Sequence, residues 1–498
     1  MYAIDINTSF GILPNGTSDY RLATLRELMD ATGIAAALTV SQRGIRDDHV
    51  AGNAETLAAS RADARLIAAA PINPLRGLPL EGDIAAIAGG GFRAIRFDCG
   101  GWGQDWSPDS FMFRRIMRLL APLRLPILAP AGSLGQISAL AAATAEADLP
   151  LVLLEASYDT LAELSAAAVE YPHVHLDTSR LAMPNAIETL LPSFGAERIL
   201  YGSGAPYYAP QSSMNVVFRA QINDQQRAQI LHGNAERLLG IAPPPGAPVP
   251  ARARYYAGKK IDVHAHLHAG DYRFPIEAAG PAVAIADCRH YEIEYMIASS
   301  SVGIFYDMVA GNREMKAIID DIPQFRGYVV VNANDVEGSA AEMDHYYQFE
   351  NFVGAKIHCE YSQQHTGGEP MRALFAEIAK RGRPVKIHND GPGWQYAIRD
   401  LARAHPQLPI IVAHGGPKGT GAIVAECPNV YLEFCSSRPT RGVIPDALAA
   451  VGPERLMYGS DQDLLHPGFV LGTYHDAGFT AEQEHQIMYS NAKRLFRL

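Results

Sequence analysis

The feature that most constrains this chain is that it is written twice. Glu197-Arg198-Ile199-Leu200-Tyr201-Gly202-Ser203 returns 257 positions later as Glu454-Arg455-Leu456-Met457-Tyr458-Gly459-Ser460. Gly233-Asn234-Ala235-Glu236-Arg237-Leu238 returns at the same offset as Ser490-Asn491-Ala492-Lys493-Arg494-Leu495. Asp48-His49-Val50-Ala51-Gly52-Asn53 returns 259 positions later as Asp307-Met308-Val309-Ala310-Gly311-Asn312. Matches in one order at nearly constant offset indicate an internal duplication, and the period is too long for a solenoid. Each copy is therefore a whole domain.

Within the first copy, short apolar runs alternate with Ala/Leu-rich helical stretches. Ala3 to Ile6, Ile34 to Val40, Arg65 to Ala70, Phe92 to Phe97, Leu125 to Ala129, Pro150 to Leu154, Val174 to Asp177 and Arg198 to Ser203 read as eight strands. Eight strands alternating with helices predict parallel βα units closing into a (β/α)8 barrel. The run Ala242-Pro243-Pro244-Pro245-Gly246-Ala247-Pro248-Val249-Pro250 sustains neither helix nor central strand and reads as a stiff linker. The expected organisation is an α/β chain of two tandem (β/α)8 TIM barrels, over 1–242 and 259–498, joined by a Pro-rich linker over 243–258.

Composition narrows the class. At 498 residues, 48% hydrophobic and 19% charged, the chain has the apolar material for two large cores. A net charge of -11 argues against nucleic acid or an anionic membrane as the main partner. No apolar run is long enough to span a bilayer. The start, Met1-Tyr2-Ala3-Ile4-Asp5-Ile6, lacks the basic region and apolar block of a secretory signal. The five cysteines, Cys99, Cys288, Cys359, Cys427 and Cys435, are odd in number and form no CxxC. Free thiols in a reducing cytoplasm are expected.

The chemistry is predicted in the second copy. Ile261-Asp262-Val263-His264-Ala265-His266-Leu267-His268 reads as a strand, on which residues two apart share a face. His264 and His266 then project side by side. Later strands end in His388, His414 and Asp461. Strand ends at one rim of a barrel converge. Two histidines from the first strand, one from the fifth and an aspartate from the eighth can surround one cation, with His414 beside them. The first copy has Asn7, Ser9, Pro130, Glu155 and Gly204 at the matching places. Proline and glycine cannot ligate through a side chain, and Asn or Ser ligates such a metal poorly. The first barrel is expected to be a silent partner and the second the working one.

With its opening HxH, its strand ends at His388 and His414, and its Gly459-Ser460-Asp461, the second half resembles the amidohydrolase superfamily. The similarity is to the branch of metal-dependent barrel hydrolases and decarboxylases that includes aminocarboxymuconate-semialdehyde decarboxylase. The first half resembles that family in scaffold only. The resemblance implies one divalent metal, usually zinc, with manganese or another divalent ion as the alternative. It implies ligation by His264, His266, His388 and Asp461, and catalytic roles for Asp461 and His414. A nitrogen-rich site with one carboxylate suits zinc, and an open position admits water or substrate.

Further residues border this site. Lys356 is expected to be structural or substrate-facing, although some relatives carry a carbamylated lysine on that strand. His358 and His365 are expected on loops or the rim, with His358 a substrate contact, and Trp394 as a pocket wall. Lys418 and Arg438, just after strand ends six and seven, are expected either as solvated surface charges or as partners of a substrate carboxylate. His268 is expected to fall beyond the strand end. Gly89-Gly90-Gly91 lacks the form of a phosphate loop.

The leading expectation is hydrolysis of a small-molecule amide, lactone or ester. Non-oxidative decarboxylation of an aromatic or unsaturated acid is the alternative, and a non-catalytic binding protein is the third. Decarboxylases of the branch often carry a Glu shortly before their histidines, whereas this chain reads Lys260-Ile261-Asp262-Val263, which favours hydrolysis. The expected partners are a small-molecule substrate and the other barrel, in an intramolecular pseudo-dimer open to further homo-oligomerisation.

Overall fold

The computed structural model describes residues 1–14, 19–76, 80–98, 106–243, 249–268, 280–389 and 391–498. The chain divides into two units. The first is Met1–Arg254 with Ser437–Arg441, and the second is Tyr255–Ser436 with Gly442–Leu498.

Each unit is built on one eight-stranded parallel sheet in sequential order. In the first the strands are β1 (Ala3–Phe10), β2 (Ile34–Ser41), β3 (Leu66–Pro71), β4 (Ala94–Arg96), β5 (Ile127–Pro130), β6 (Leu151–Leu154), β7 (Val174–Asp177) and β8 (Ile199–Leu200). The second has β9 (Lys260–Leu267), β10 (Ile293–Ser300), β11 (Phe325–Val330), β12 (Phe352–His358), β13 (Val385–His388), β14 (Ile410–Val412), β15 (Val430–Glu433) and β16 (Leu456–Met457). Parallel bridges Thr8 to Ala205 and Ala265 to Gln462 close each sheet on itself. Both units are (β/α)8 barrels.

The eighth strands are shorter than the apolar runs suggest. The reason is the same in both barrels. The Tyr201 N–H donates to Ile230 O at 2.8 Å, and the Tyr458 N–H to Ile487 O at 3.2 Å, so a following helical segment takes the bond a longer ladder would need.

The barrel interiors are apolar below the rim. Ile4, Ile6, Leu38, Leu128, Val152 and Leu200 cluster in the first, and Ile261, Val263, Ile297, Tyr328, Ile411 and Met457 in the second. Burying one such side chain contributes roughly 1.5–3 kcal/mol. β9 is buried along its whole length, as a strand covered on both faces must be.

The repeated motifs are scaffold. Asp48 and Asp307 each cap a helix, accepting from the N–H of Val50 and Ala310. The glycine that follows allows close backbone approach. A Cβ on Gly52 would lie 2.2 Å from the Gly44 backbone, and one on Gly311 would lie 2.1 Å from Gly303 N. Asn234 Nδ2 donates to Ala196 O and Ile199 O, and Asn491 Nδ2 to Pro453 O and Leu456 O, at 2.7 and 2.8 Å in each case. The asparagine of each copy thus ties the last helix to the eighth strand.

The described residues between the barrels carry no helix or strand. They are tied down by side-chain amides. Gln211 Nε2 donates to Arg252 O at 2.9 Å and Asn215 Nδ2 to Arg254 O at 3.1 Å. Among the described residues, no helix is long and apolar enough to cross a membrane. Cys288, Cys359, Cys427 and Cys435 are buried free thiols, and Cys99 lies outside the described residues.

Candidate metal centre

The second barrel gathers its titratable groups at the C-terminal ends of its strands. His264 and His266 come from β9. Their Nε2 atoms lie 3.2 Å apart, and Asp461 Oδ1 stands 3.4 Å from the first and 3.1 Å from the second. One donor atom from each of these three residues lies within 4.8 Å of the others.

The outer nitrogens are anchored. His264 Nδ1 lies 2.5 Å from Glu433 Oε1, so it carries the proton and leaves the Nε2 lone pair facing Asp461. His266 Nδ1 meets Ser299 Oγ at 3.1 Å. His414 Nδ1 donates to the Cys435 carbonyl at 2.8 Å, which leaves its Nε2 as an acceptor 3.0 Å from His388 Nδ1. His388 also stacks on His358, with ring centroids 3.9 Å apart, and groups with His358 and Glu360.

Two of the rim residues adopt the left-handed backbone: His414 has φ +62° and Asp461 φ +62°. Such a conformation is costly for a side-chain-bearing residue and persists where the surroundings over-determine it. Here the Asp461 N–H donates to His264 O at 2.7 Å and the His414 N–H to Glu433 Oε1 at 3.2 Å.

Three buried charged residues surround these histidines. Lys356, fully buried on β12, places Nζ 2.8 Å from His264 Nε2. Burial, with repulsion from Lys386, pushes its amine down to about 7. Lys386 Nζ lies 2.9 Å from Glu433 Oε1. Burial alone would raise the Glu433 carboxyl, but the Lys386 ammonium, which also hydrogen-bonds it, holds it down at about 2. Burial and the neighbouring lysines drive His264 well below the usual imidazole range, and burial likewise lowers His266 and His388. Neutral imidazoles, a carboxylate and a pre-set tautomer are what a divalent cation requires, so these residues fit one.

The first barrel repeats the framework with other chemistry. Asn7 takes the place of His264, Arg96 that of Lys356 and Asp177 that of Glu433. Arg96 Nη1 donates to Asn7 Oδ1 at 2.8 Å, and Asn7 Nδ2 donates to Asp177 Oδ2 at 2.9 Å. Glu155 (φ +58°) and Gly204 (φ +73°) keep the backbone of His414 and Asp461. Asn7, Ser9, Pro130, Glu155 and Gly204 all line one rim cavity of about 510 Å³.

The structure thus brings His264, His266 and Asp461 together and sets His388 and His414 beside them. Lys356, expected to be structural or substrate-facing, places its amine directly against His264. His358 is half-buried against His388. Trp394 opens the helix Trp394–Ala404 and packs against Gly416. Lys418 and His365 are exposed on the loops. Arg438 belongs to the first unit and lines its cavity. His268 does follow the strand end, and is buried with Nδ1 3.0 Å from Asp463 Oδ2. Gly89 and Gly90 close the helix Glu81–Gly90, and Gly91 (φ +87°) caps it. Sequence reasoning missed Glu433, Lys386 and Cys435, whose Sγ is 3.1 Å from His264 Nδ1. The signal available was a charged residue inside an otherwise apolar strand, in Val430-Tyr431-Leu432-Glu433 and Val385-Lys386-Ile387.

A family model described as Amidohydrolase matches residues 5–241 and again 261–498. The chain belongs to the amidohydrolase family. No curated protein matches it. Among solved structures, this amidohydrolase is similar to 2,6-dihydroxybenzoate decarboxylase from Rhizobium, with 15% identity, a TM-score of 0.39, and coverage of 48% of this chain and 98% of that one. A dihydroxybenzoic acid decarboxylase from Polaromonas sp. JS666 with bound manganese gives 15%, 0.41, 48% and 97%. An uncharacterised TIM-barrel protein from Bordetella bronchiseptica gives 17%, 0.41, 48% and 99%.

Proposed function

We propose that the second barrel is a metal-dependent hydrolase acting on an amide, lactone or ester of a small molecule, and that the first barrel is catalytically silent. The observation that carries this reading is the convergence of His264 Nε2, His266 Nε2 and Asp461 Oδ1, with the His264 tautomer set by Glu433. His264, His266, Asp461 and the adjacent His388 would hold the cation, zinc or another divalent ion. Once bound, such an ion supplies Lewis acidity and lowers the pKa of a water to near 7.

The protein's own groups do the rest. Glu433 holds the His264 ring and keeps its Nδ1 protonated. Asp461, on a carboxylate oxygen, accepts the proton of an attacking water. His414, with Nδ1 fixed on the Cys435 carbonyl, offers Nε2 to hold or return a proton at the reacting group. Arg96 and Asn7 in the first barrel offer no equivalent donor set, which supports its silence.

The test is a panel of small amides, lactones and esters set beside aromatic carboxylic acids, assayed with His414→Ala and His388→Ala variants. Hydrolysis by the wild type is expected, with His414→Ala keeping most of the metal and losing about 10²–10⁴-fold in turnover. His388→Ala is expected to lose metal affinity. Release of carbon dioxide from the acids, with the esters and amides untouched, would replace this reading by decarboxylation.

A further inference from the structure

We propose that the rim cavity of the first barrel is a metal-independent binding site for a small organic carboxylate with a planar body. The cavity, about 510 Å³, lies at the strand ends where barrels of this type bind ligands, and its size is in the range of small-molecule sites. The exchanges that remove metal donors here do not fill the space: Ser9 and Gly204 are smaller than His266 and Asp461.

The positive charge of this cavity is guanidinium. Arg96 is 8% exposed, with Nε 3.1 Å from Asp98 Oδ2 and Nη1 on Asn7. It is always charged and planar, unlike the lysine in its place in the second barrel. Arg46 Nε donates to Gln42 Oε1 at 2.9 Å, and Gln42 Nε2 donates to Ser9 Oγ at 2.9 Å, so this side chain is held against the wall before any ligand arrives. Arg180 lines the same cavity.

Four guanidinium groups, Arg46, Arg96, Arg180 and Arg438, outnumber the three acids of the lining, Asp98, Glu155 and Asp159. Asp98 pairs with Arg96, while Glu155 Oε2 accepts from Tyr208 Oη at 3.2 Å and Asp159 from Ser157 Oγ. Three tyrosines line the same cavity: Tyr207 lies 6.1 Å from Tyr20 and 4.8 Å from Tyr208, centroid to centroid. Guanidinium groups recognise a carboxylate in bidentate fashion, and ring faces pack a planar body. Inorganic phosphate would meet the charge and leave the tyrosines uncovered.

The experiment is titration calorimetry of the full chain with benzoate in the presence of a chelator, in wild type and in a His264→Ala/His266→Ala background that disables the other barrel. About one benzoate per chain is expected in both. Arg96→Gln and Arg46→Gln should each weaken it at least tenfold, and Ser9→Phe, which fills the cavity, should abolish it. Circular dichroism checks the fold of each variant, and Arg46→Gln serves if Arg96→Gln does not fold. Absence of binding at millimolar benzoate, or binding lost in the His264→Ala/His266→Ala background, would overturn the site. So would binding that Arg46→Gln and Ser9→Phe leave intact. Phosphate binding as tightly as benzoate would overturn the planar-carboxylate assignment.

Discussion

Glu433 Oε1 stands 2.5 Å from His264 Nδ1, and the same oxygen takes Lys386 Nζ at 2.9 Å. One buried carboxylate therefore sets a histidine's tautomer and neutralises a buried lysine at once. A charge in that position is retained only because both partners are in place.

Glu433→Gln keeps the shape and removes the charge. Metal affinity should fall by about 10–100-fold, the usual effect of losing a carboxylate behind a ligating histidine. Competition against a chelator of known affinity measures this. An unchanged affinity would mean that Glu433 serves only Lys386.

The fold was legible in the chain and so were the histidines, for physical reasons that differ. The motif residues Asp307, Gly311, Asn312 and Asn491 recur because caps, close backbone approaches and buried side-chain bonds tolerate few residue types. HxH on a strand announces itself through side-chain parity. For Glu433 and Lys386 a lone charge in each apolar strand is visible but its partner is not, because their pairing joins two strands 47 residues apart and no local pattern encodes it. The strand that carries Lys356 is readable in the sequence, yet only the barrel's closure shows its amine against His264. Arg438 follows a strand end of the second copy, and the fold carries it into the first unit.

Asn491→Ala tests the reading of the repeat as scaffold. The change leaves Pro453 O and Leu456 O without the side-chain donor that ties the last helix to β16. A loss of about 1–3 kcal/mol is expected from the buried unmet acceptors. Thermal unfolding of the full chain measures it, and an unaltered midpoint would contradict the role.

Asp5 gives a pH dependence in the first barrel. Burial pushes its carboxyl up to about 7 from 3.8, against hydrogen bonds from Ser203 and Asn7, and burial raises neighbouring Asp177 to about 6. The folded state therefore holds the Asp5 proton where the unfolded chain has released it. Stability falls as pH rises from 3.8 to about 7 and levels off above. Asp5→Asn removes this titration, so its stability relative to the parent should improve from about pH 4 to about pH 7, by at most about 1.4 kcal/mol per unit, and stay level above. Denaturant unfolding followed by tryptophan fluorescence in a Trp394→Phe background reports the first half of the chain. A difference independent of pH would contradict the buried, proton-holding state.

A metal centre is expected in the second barrel and none in the first. Elemental analysis of the purified full chain, after reconstitution with zinc or manganese and removal of excess ion, measures this. About one divalent ion per chain is expected in the wild type and in Asn7→Ala/Ser9→Ala, and none in His264→Ala/His266→Ala. Metal retained by His264→Ala/His266→Ala, or lost from Asn7→Ala/Ser9→Ala, would contradict the account.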